Sequence, residues 1–307
     1  MYHTILVPLD GSMLAEWALP VAISIARRSG ASLELITVEI VLPTLGAVGG
    51  LSTETSDATT QDAPLAYLRN VAQRVAAIYR GPVKHTVKSG HGRGATSLLR
   101  HSKDVGADLI VMATHGYGPL KRFWLGSVAD TVARRSRIPT LLIRPRSEEP
   151  ADLAFEPRFH NVLVPLDGSS AAEAILEHSM ALGESGVSKY TLLQAVSPVV
   201  GLGPDYIPIP GPVDLAVLRA RRDLATQYLE KVAARLHARA IEVEIAIDLE
   251  TFAAAAILEY AETHPTDLIT LTTHGHGGAL RLVLGSVADK IVRGAMVPVL
   301  LHRPRAC

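Results

Sequence analysis

The chain runs to 307 residues, too many for one ordinary hydrophobic core, so two domains are expected. Apolar residues make up 48% and charged residues 20%, a globular balance, and the zero formal net charge leaves no broad field to attract nucleic acid or an anionic membrane. The single cysteine, Cys307, is the last residue, which excludes an intrachain disulfide and fits a reducing, cytoplasmic setting.

The opening MYHTILVPLDGS has no basic lead and its apolar run stops at Asp10, so residues 4–9 read as a strand and not as a secretory signal. Further strands are expected at 33–40, 83–88, 108–113 and 140–144. These runs are β-branched or leucine-rich and apolar on both faces, as a covered parallel sheet requires. The longest apolar stretch, 40–51, holds Pro43 and three glycines and falls short of the ~20 residues that a bilayer crossing needs. LPTLGAVGGLSTETSDATTQDAP, which overlaps it, has no periodicity and reads as a mobile connector or a cover for a crevice. Leu65, Leu68, Val71, Val75 and Ile78 then recur at helical steps after Pro64, the pattern of an amphipathic helix with proline in its first turn.

From residue 162 the chain repeats itself. ILVPLDGS returns as VLVPLDGS, VMATHGYGPLKRFWLGSVAD as TLTTHGHGGALRLVLGSVAD, and IPTLLIRPR as VPVLLHRPR. Asp10 and Asp167 stand 157 positions apart, and Gly116 and Gly275, like Ser127 and Ser286, stand 159 apart. A repeat of this length is a whole domain, since solenoid units run only about 20 to 50 residues. The proline-bearing, charged segment RPRSEEPADLAFEPRF is the natural linker and sets domains at 1–146 and 159–305. In the second copy Leu218, Ala225, Tyr228, Val232 and Leu236 repeat the helix stripe, while SPVVGLGPDYIPIPGP is a connector stiffened by proline. The fold class expected is α/β: two tandem doubly wound domains, each with an open five-stranded parallel sheet flanked by helices.

In such a sheet, ligands bind outside the carboxyl ends of the strands where the winding reverses. Asp10 and Asp167 close the first strand of each copy, while Gly116 and Gly275 follow the fourth; if those strands are neighbours, the motifs face each other across a crevice. Gly116 lets backbone amides approach an anion, and Gly126-Ser127 puts orphan N–H groups and a hydroxyl at the positive end of a helix, which suits phosphates. Ser127 and Ser286 are also ordinary N-cap residues, and aspartate before glycine is common turn chemistry. The repetition of the whole spacing in both copies favours the phosphate reading.

With these residues the chain resembles a tandem universal stress protein over almost its full length. The ATP-binding motif of that family is glycine, two residues, glycine, nine residues, then Gly-Ser or Gly-Thr, after an early aspartate. Here Gly116 and Gly126-Ser127, and again Gly275 and Gly285-Ser286, keep the nine-residue spacing. The first glycine of the motif is replaced by Ala113 in one copy and Thr272 in the other. Threonine, β-branched, tolerates unusual dihedrals or close approach less well than alanine, so the first site is ranked above the second. The resemblance implies ATP, with or without magnesium, as the ligand. It implies that Asp10 holds the ribose side, main chain near Val38 meets adenine, and Gly116, Gly126, Ser127 and Val128 hold the phosphates. The corresponding second set is Asp167, Ala195, Gly275, Gly285, Ser286 and Val287. It also implies pairing of the apolar terminal strands TLLIRP and VPVLLHRP between domains, and homo-oligomers through such edges or through domain faces.

Other signals are weaker. Lys121 and Arg122, with Arg281 near their place in the second copy, suit phosphate but equally a solvated helix face. His91, His115, His274 and His276 lack the cysteine cluster or His-Glu-x-x-His helix of a metal site, so no metal is expected. GHGRG at 90–94 lacks the dinucleotide spacing, no P-loop or GxSxG elbow occurs, and no aromatic-basic interleaving suggests single-stranded nucleic acid. The expected function is therefore an ATP-binding stress-response protein without a committed active site, weak ATP hydrolysis or autophosphorylation being left open. The alternative is a scaffold that acts through protein contacts and binds no nucleotide.

Overall fold

The structure, a computed structural model, describes residues 1–39, 57–90, 94–115, 125–184, 186–197, 201–202, 208–209, 215–249, 252–273 and 284–304. It divides into two compact units, Met1–Pro157 and Arg158–Cys307.

The first unit runs β1 (Thr4–Pro8), a 3-10 turn (Ala15–Trp17), α1 (Ala18–Ser29), β2 (Ser32–Glu39), α2 (Asp57–Ile78), β3 (Val83–Ser89), α3 (Gly94–Asp104), β4 (Leu109–Ala113), α4 (Ser127–Arg135) and β5 (Thr140–Ile143). Its strands are all parallel, in the order β5-β4-β1-β2-β3. The winding leaves β1 toward β3, then returns to β4 on the other side of β1, so the switch point lies between β1 and β4, in register at Ile5 with Leu109 and Leu6 with Ile110. The crevice condition set by the sequence is thus met. The central β4, LIVMA, is buried throughout, whereas the outer β3 carries Lys84 and Lys88 among its more exposed residues.

The second unit runs β6 (Asn161–Pro165), α5 (Ser170–Glu173), α6 (Leu176–Leu182), β7 (Lys189–Ala195), a short antiparallel ribbon of β8 (Gly201–Leu202) and β9 (Pro208–Ile209), α7 (Leu215–His237), β10 (Glu242–Asp248), α8 (Ala253–Thr263), β11 (Leu268–Thr272), α9 (Ser286–Gly294) and β12 (Val299–His302). Its parallel strands follow the order β12-β11-β6-β7-β10, the same winding, with the switch between β6 and β11.

One helix start departs from the reading. α2 begins at Asp57, so Pro64 lies inside the helix and not in its first turn, and residues 57–64 belong to the helix and not to a connector. Proline's fixed φ is helical, and its cost is a missing amide bond one turn back rather than an incompatible backbone. The buried stripe of α2 is Leu68, Val71, Ala72 and Val75; that of α7 is Ala225, Leu229, Val232, Ala233 and Leu236, with Leu218 and Tyr228 only half-buried.

A carboxylate anchors the switch in each unit. Asp108, just before β4, accepts from the amides of His3 and Thr4 at 2.7 and 3.0 Å, and Asp267 accepts from those of His160 and Asn161 at 3.0 and 2.8 Å. The linker packs along α1: Ser24 Oγ donates to the Pro157 carbonyl at 2.8 Å, Trp17 Nε1 to that of Glu149 at 3.2 Å, and Arg27 pairs with Glu156. Among the described residues no helix is long and apolar enough to cross a membrane.

Candidate functional site

Outside the carboxyl ends of β1 and β4 the first unit holds a hollow of about 280 Å³. Its floor is apolar, from Leu9, Ile36, Leu98 and Met112, and its rim includes Asp10, Val38, Ala113, Gly126, Ser127 and Val128. All the site residues expected from the sequence that are described in this unit therefore line one cavity. The equivalent hollow of the second unit, about 380 Å³, gathers Asp167, Ala195, Thr272, Gly285, Ser286 and Val287. Gly116 and Gly275 lie outside the described residues, as do Lys121, Arg122, Arg281, His91, His274 and His276.

Asp10 builds the turn that leaves β1. Its Oδ1 accepts from the Ser12 amide at 2.9 Å and hydroxyl at 2.5 Å, and Ser12 Oγ accepts from the Ala15 amide at 3.1 Å. Gly11 supplies the φ of +85° that this turn needs. Asp167, Ser169 and Ala172 repeat the arrangement at 3.0, 2.6 and 3.0 Å, with Gly168 at φ +87°. Turn chemistry thus occupies one oxygen of each aspartate.

The helix end differs from its reading in one respect. Gly126 itself is the N-cap of α4, with φ −57° and ψ 147°, and Ser127 is the first helical residue; Gly285 and Ser286 repeat this at the start of α9. A glycine cap offers no side-chain acceptor, and the first amide to find its helical carbonyl is that of Asp130, on Gly126 at 2.8 Å. The amides of Ser127, Val128 and Ala129, all hollow-lining residues, are the first-turn donors without a helical carbonyl, and none has a partner among the described residues. Asp130, the acid nearest that end, is tied bidentately to Arg134 at 2.8 Å, as Asp289 is to Arg293 at 2.9 and 3.2 Å, which offsets its charge. The donor set, an uncapped helix end above an apolar slot, fits a ligand with a flat apolar part and an anionic part.

Ala113 and Thr272 are the last residues of β4 and β11, and neither has positive φ. Backbone strain therefore does not separate the sites; the difference is the volume and the hydroxyl that Thr272 adds at the rim.

Reading the sequence missed Leu9, Ile36, Gly94, Leu98, Thr114 and His115 as lining residues. For Leu9, Thr114 and His115 the signal was available in the strand register, since residues just past the ends of adjacent parallel strands share one rim; Ile36 lies within β2, and Gly94 and Leu98 come from α3, which strand register does not place. It also missed a polar cluster present in both units. Tyr67 Oη donates to Glu16 Oε1 at 3.1 Å and Arg74 Nη1 to Oε2 at 2.9 Å, fastening α2 to the turn after Asp10. Burial, reinforced by Glu16, pushes the Tyr67 hydroxyl far above its usual range. Glu173, Arg235 and Tyr228 form the counterpart, and burial, then Glu173, shifts Tyr228 likewise. These residues sit too far apart in sequence for any motif to show them.

Known proteins share this plan. The model of the universal stress protein family matches residues 1–144 and again 158–303. A universal stress protein of Bacillus subtilis is 30% identical over 152 residues, which cover 47% of this chain and 100% of that one. Another, of Methanocaldococcus jannaschii, is 29% identical over 145 residues, 47% of this chain and 81% of its own. The crystal structure of a universal stress protein from Archaeoglobus fulgidus gives a TM-score of 0.65 at 19% identity and covers 98% of both chains. A functionally unknown protein from Pseudomonas aeruginosa gives 0.66 at 15% identity, with coverage of 99% and 93%. At such identities the two structures speak for the fold alone. With the family pattern present in each half, the chain belongs to the universal stress protein family and carries two of its domains in tandem.

Proposed function

We propose that the protein binds an adenine nucleotide, ATP, in the hollow of the first unit and, with lower affinity, in that of the second. The observation that carries this reading is the convergence of Asp10, Val38, Ala113, Gly126, Ser127 and Val128 on one cavity at the switch point, beneath an uncapped helix end. The β-strand ends offer an apolar slot for a base, Asp10 an acceptor for a ribose hydroxyl, and the amides of Ser127 to Ala129 donors for phosphate. Magnesium would accompany the phosphates and share their charge. Binding acts as a signal only if ATP has different affinities for two states of the protein or of its complexes. The setting proposed is cytoplasmic, with self-association through sheet edges or domain faces.

One observation favours a second reading, a scaffold that binds no nucleotide. A carbon added at Gly285 would stand 2.7 Å from the Thr273 carbonyl, so that place calls for glycine whether or not a ligand comes, and the Thr114 carbonyl crowds Gly126 less severely at 3.2 Å. Thermal melting separates the two. ATP at a hundred times its Kd stabilises the bound unit by about 2.7 kcal/mol, a visible shift. An unchanged melt at millimolar ATP and magnesium would leave the scaffold. Release of inorganic phosphate above the buffer rate, lost in Asp10→Ala, would instead mark turnover.

A further inference from the structure

A second, smaller hollow of about 240 Å³ adjoins the first unit's site, lined by Leu14, His115, Arg144, Pro145, Arg146, Ser147 and Glu148. His115 lines both cavities and stands at their common wall. The fold explains why these residues meet. The Thr114 amide bonds the Ile143 carbonyl at 2.8 Å, the last rung between β4 and β5. The residues that follow, His115 and Arg144, therefore leave two neighbouring strand ends side by side, about 5 Å apart by the spacing of parallel strands. Pro145 has no amide to extend the ladder, and Arg144 and Arg146 on either side of it both line the cavity. The result is a cavity lined by two arginines and one glutamate, Glu148, that shares His115 with the hollow whose far rim is the helix end assigned to phosphate.

We propose that this hollow is an anion subsite, in which Arg144 and Arg146 take the distal phosphates of a nucleotide held in the main cavity, so that the first unit selects triphosphate over monophosphate. This rests on the nucleotide reading above and deepens it. Guanidinium forks match phosphate oxygens bidentately, and two of them outweigh the single carboxylate that shares the cavity. Thr114 Oγ1 and His115 Nδ1 lie 2.8 Å apart, a bond that orients the imidazole at the junction. The sequence repeats the set: His274 follows Thr273, and Arg303-Pro304-Arg305 follows the last strand, as His115 follows Thr114 and Arg144-Pro145-Arg146 follows β5. Two copies that differ at Ala113 and Thr272 nonetheless keep histidine and the Arg-Pro-Arg run.

The test is calorimetric titration of the full chain with ATP, AMP and inorganic tripolyphosphate, for the parent and for Arg144→Ala/Arg146→Ala. The second unit contributes a constant background, since its residues are untouched. The parent is expected to hold ATP at least tenfold tighter than AMP in its tighter site. The double variant should lose most of that ratio, keep its AMP affinity, and regain part of the ratio as Arg144→Lys/Arg146→Lys. A variant with the parent's ATP-to-AMP ratio overturns the subsite. If no nucleotide binds the parent, the nucleotide reading fails by itself. In that event tripolyphosphate binding that vanishes in the double variant supports an anion site serving free polyphosphate, and tripolyphosphate binding that is absent or unchanged overturns it.

Discussion

Gly126 donates its amide to the Thr114 carbonyl at 2.8 Å, and a methyl group built on its Cα would stand 3.2 Å from that same oxygen. The second unit is tighter: Gly285 donates to Thr273 at 2.9 Å, and its added carbon would meet that oxygen at 2.7 Å. Backbone cannot swing aside as a side chain does. Gly285→Ala is therefore expected to destabilise by about 1–3 kcal/mol and Gly126→Ala by less than about 1 kcal/mol, read from urea unfolding midpoints. Equal costs would show that the glycines serve something other than this contact.

The first unit buries a glutamate–histidine contact that the second lacks. Glu34 on β2 accepts from Thr86 Oγ1 at 2.7 Å and lies 3.1 Å from His101 Nε2 on α3, all but sealed from solvent. The counterpart positions hold Thr191, Ala246 and Tyr260. Removing His101 leaves Glu34 short of one buried hydrogen bond, so His101→Ala should cost about 1–3 kcal/mol. Glu34→Thr/His101→Tyr, which borrows the other unit's residues, should cost clearly less than the sum of its single changes. Additivity in that cycle would refute coupling between the two side chains.

His302, at the end of β12, packs against His178 with ring centroids 4.4 Å apart. Burial, with a smaller repulsion from His178, pushes the His302 imidazole down to about 4, and burial lowers His178 as well. Folded His302 thus stays neutral where the unfolded chain, near 6.5, already takes up a proton. Its contribution is complete above about pH 6.5 and fades as pH falls toward 4. His302→Ile, the residue type of the matching Ile143, should shrink the loss of melting temperature between pH 7 and pH 4.5 by about 2–4 °C. Parallel melting curves for variant and parent across that range would count against it.

Asp108 and Asp267 hold the first amides of β1 and β6. Asp108→Ala leaves the amides of His3 and Thr4 without their carboxylate and should cost about 1–3 kcal/mol. Hydrogen exchange should quicken at Thr4 and Ile5 with little change in α2. Unaltered exchange there would deny the anchoring role.

Much of this molecule could be read from the chain, and the reasons are local. Strand residues such as Ile5, Leu109 and Val162 announce themselves because both faces of a central parallel strand are apolar, and duplication made each reading a double one. The six described lining residues expected at the first hollow lie at strand ends or at a Gly-Ser helix start, where position follows from topology. What escaped depends on distance or on one rotation of the backbone. Glu16, Tyr67 and Arg74 meet only after the crossover folds back, and no spacing encodes that. Ser127 looked like a cap because serine usually is one; the tight approach of Thr114 O gives that place to Gly126. Pro64 looked like a helix start because the propensity rule does not see that the preceding polar residues also wind.

The segment after β5 is more than a tether. Because Ser24 and Arg27 on α1 grip Pro157 and Glu156, and Trp17 reaches Glu149, the tail of the first unit is a strap laid over its own first helix. Cutting the protein at the sequence-derived boundary, residue 146, would peel that strap away and bare part of α1 to water. An excised amino-terminal fragment should therefore be markedly more soluble when it ends at 157.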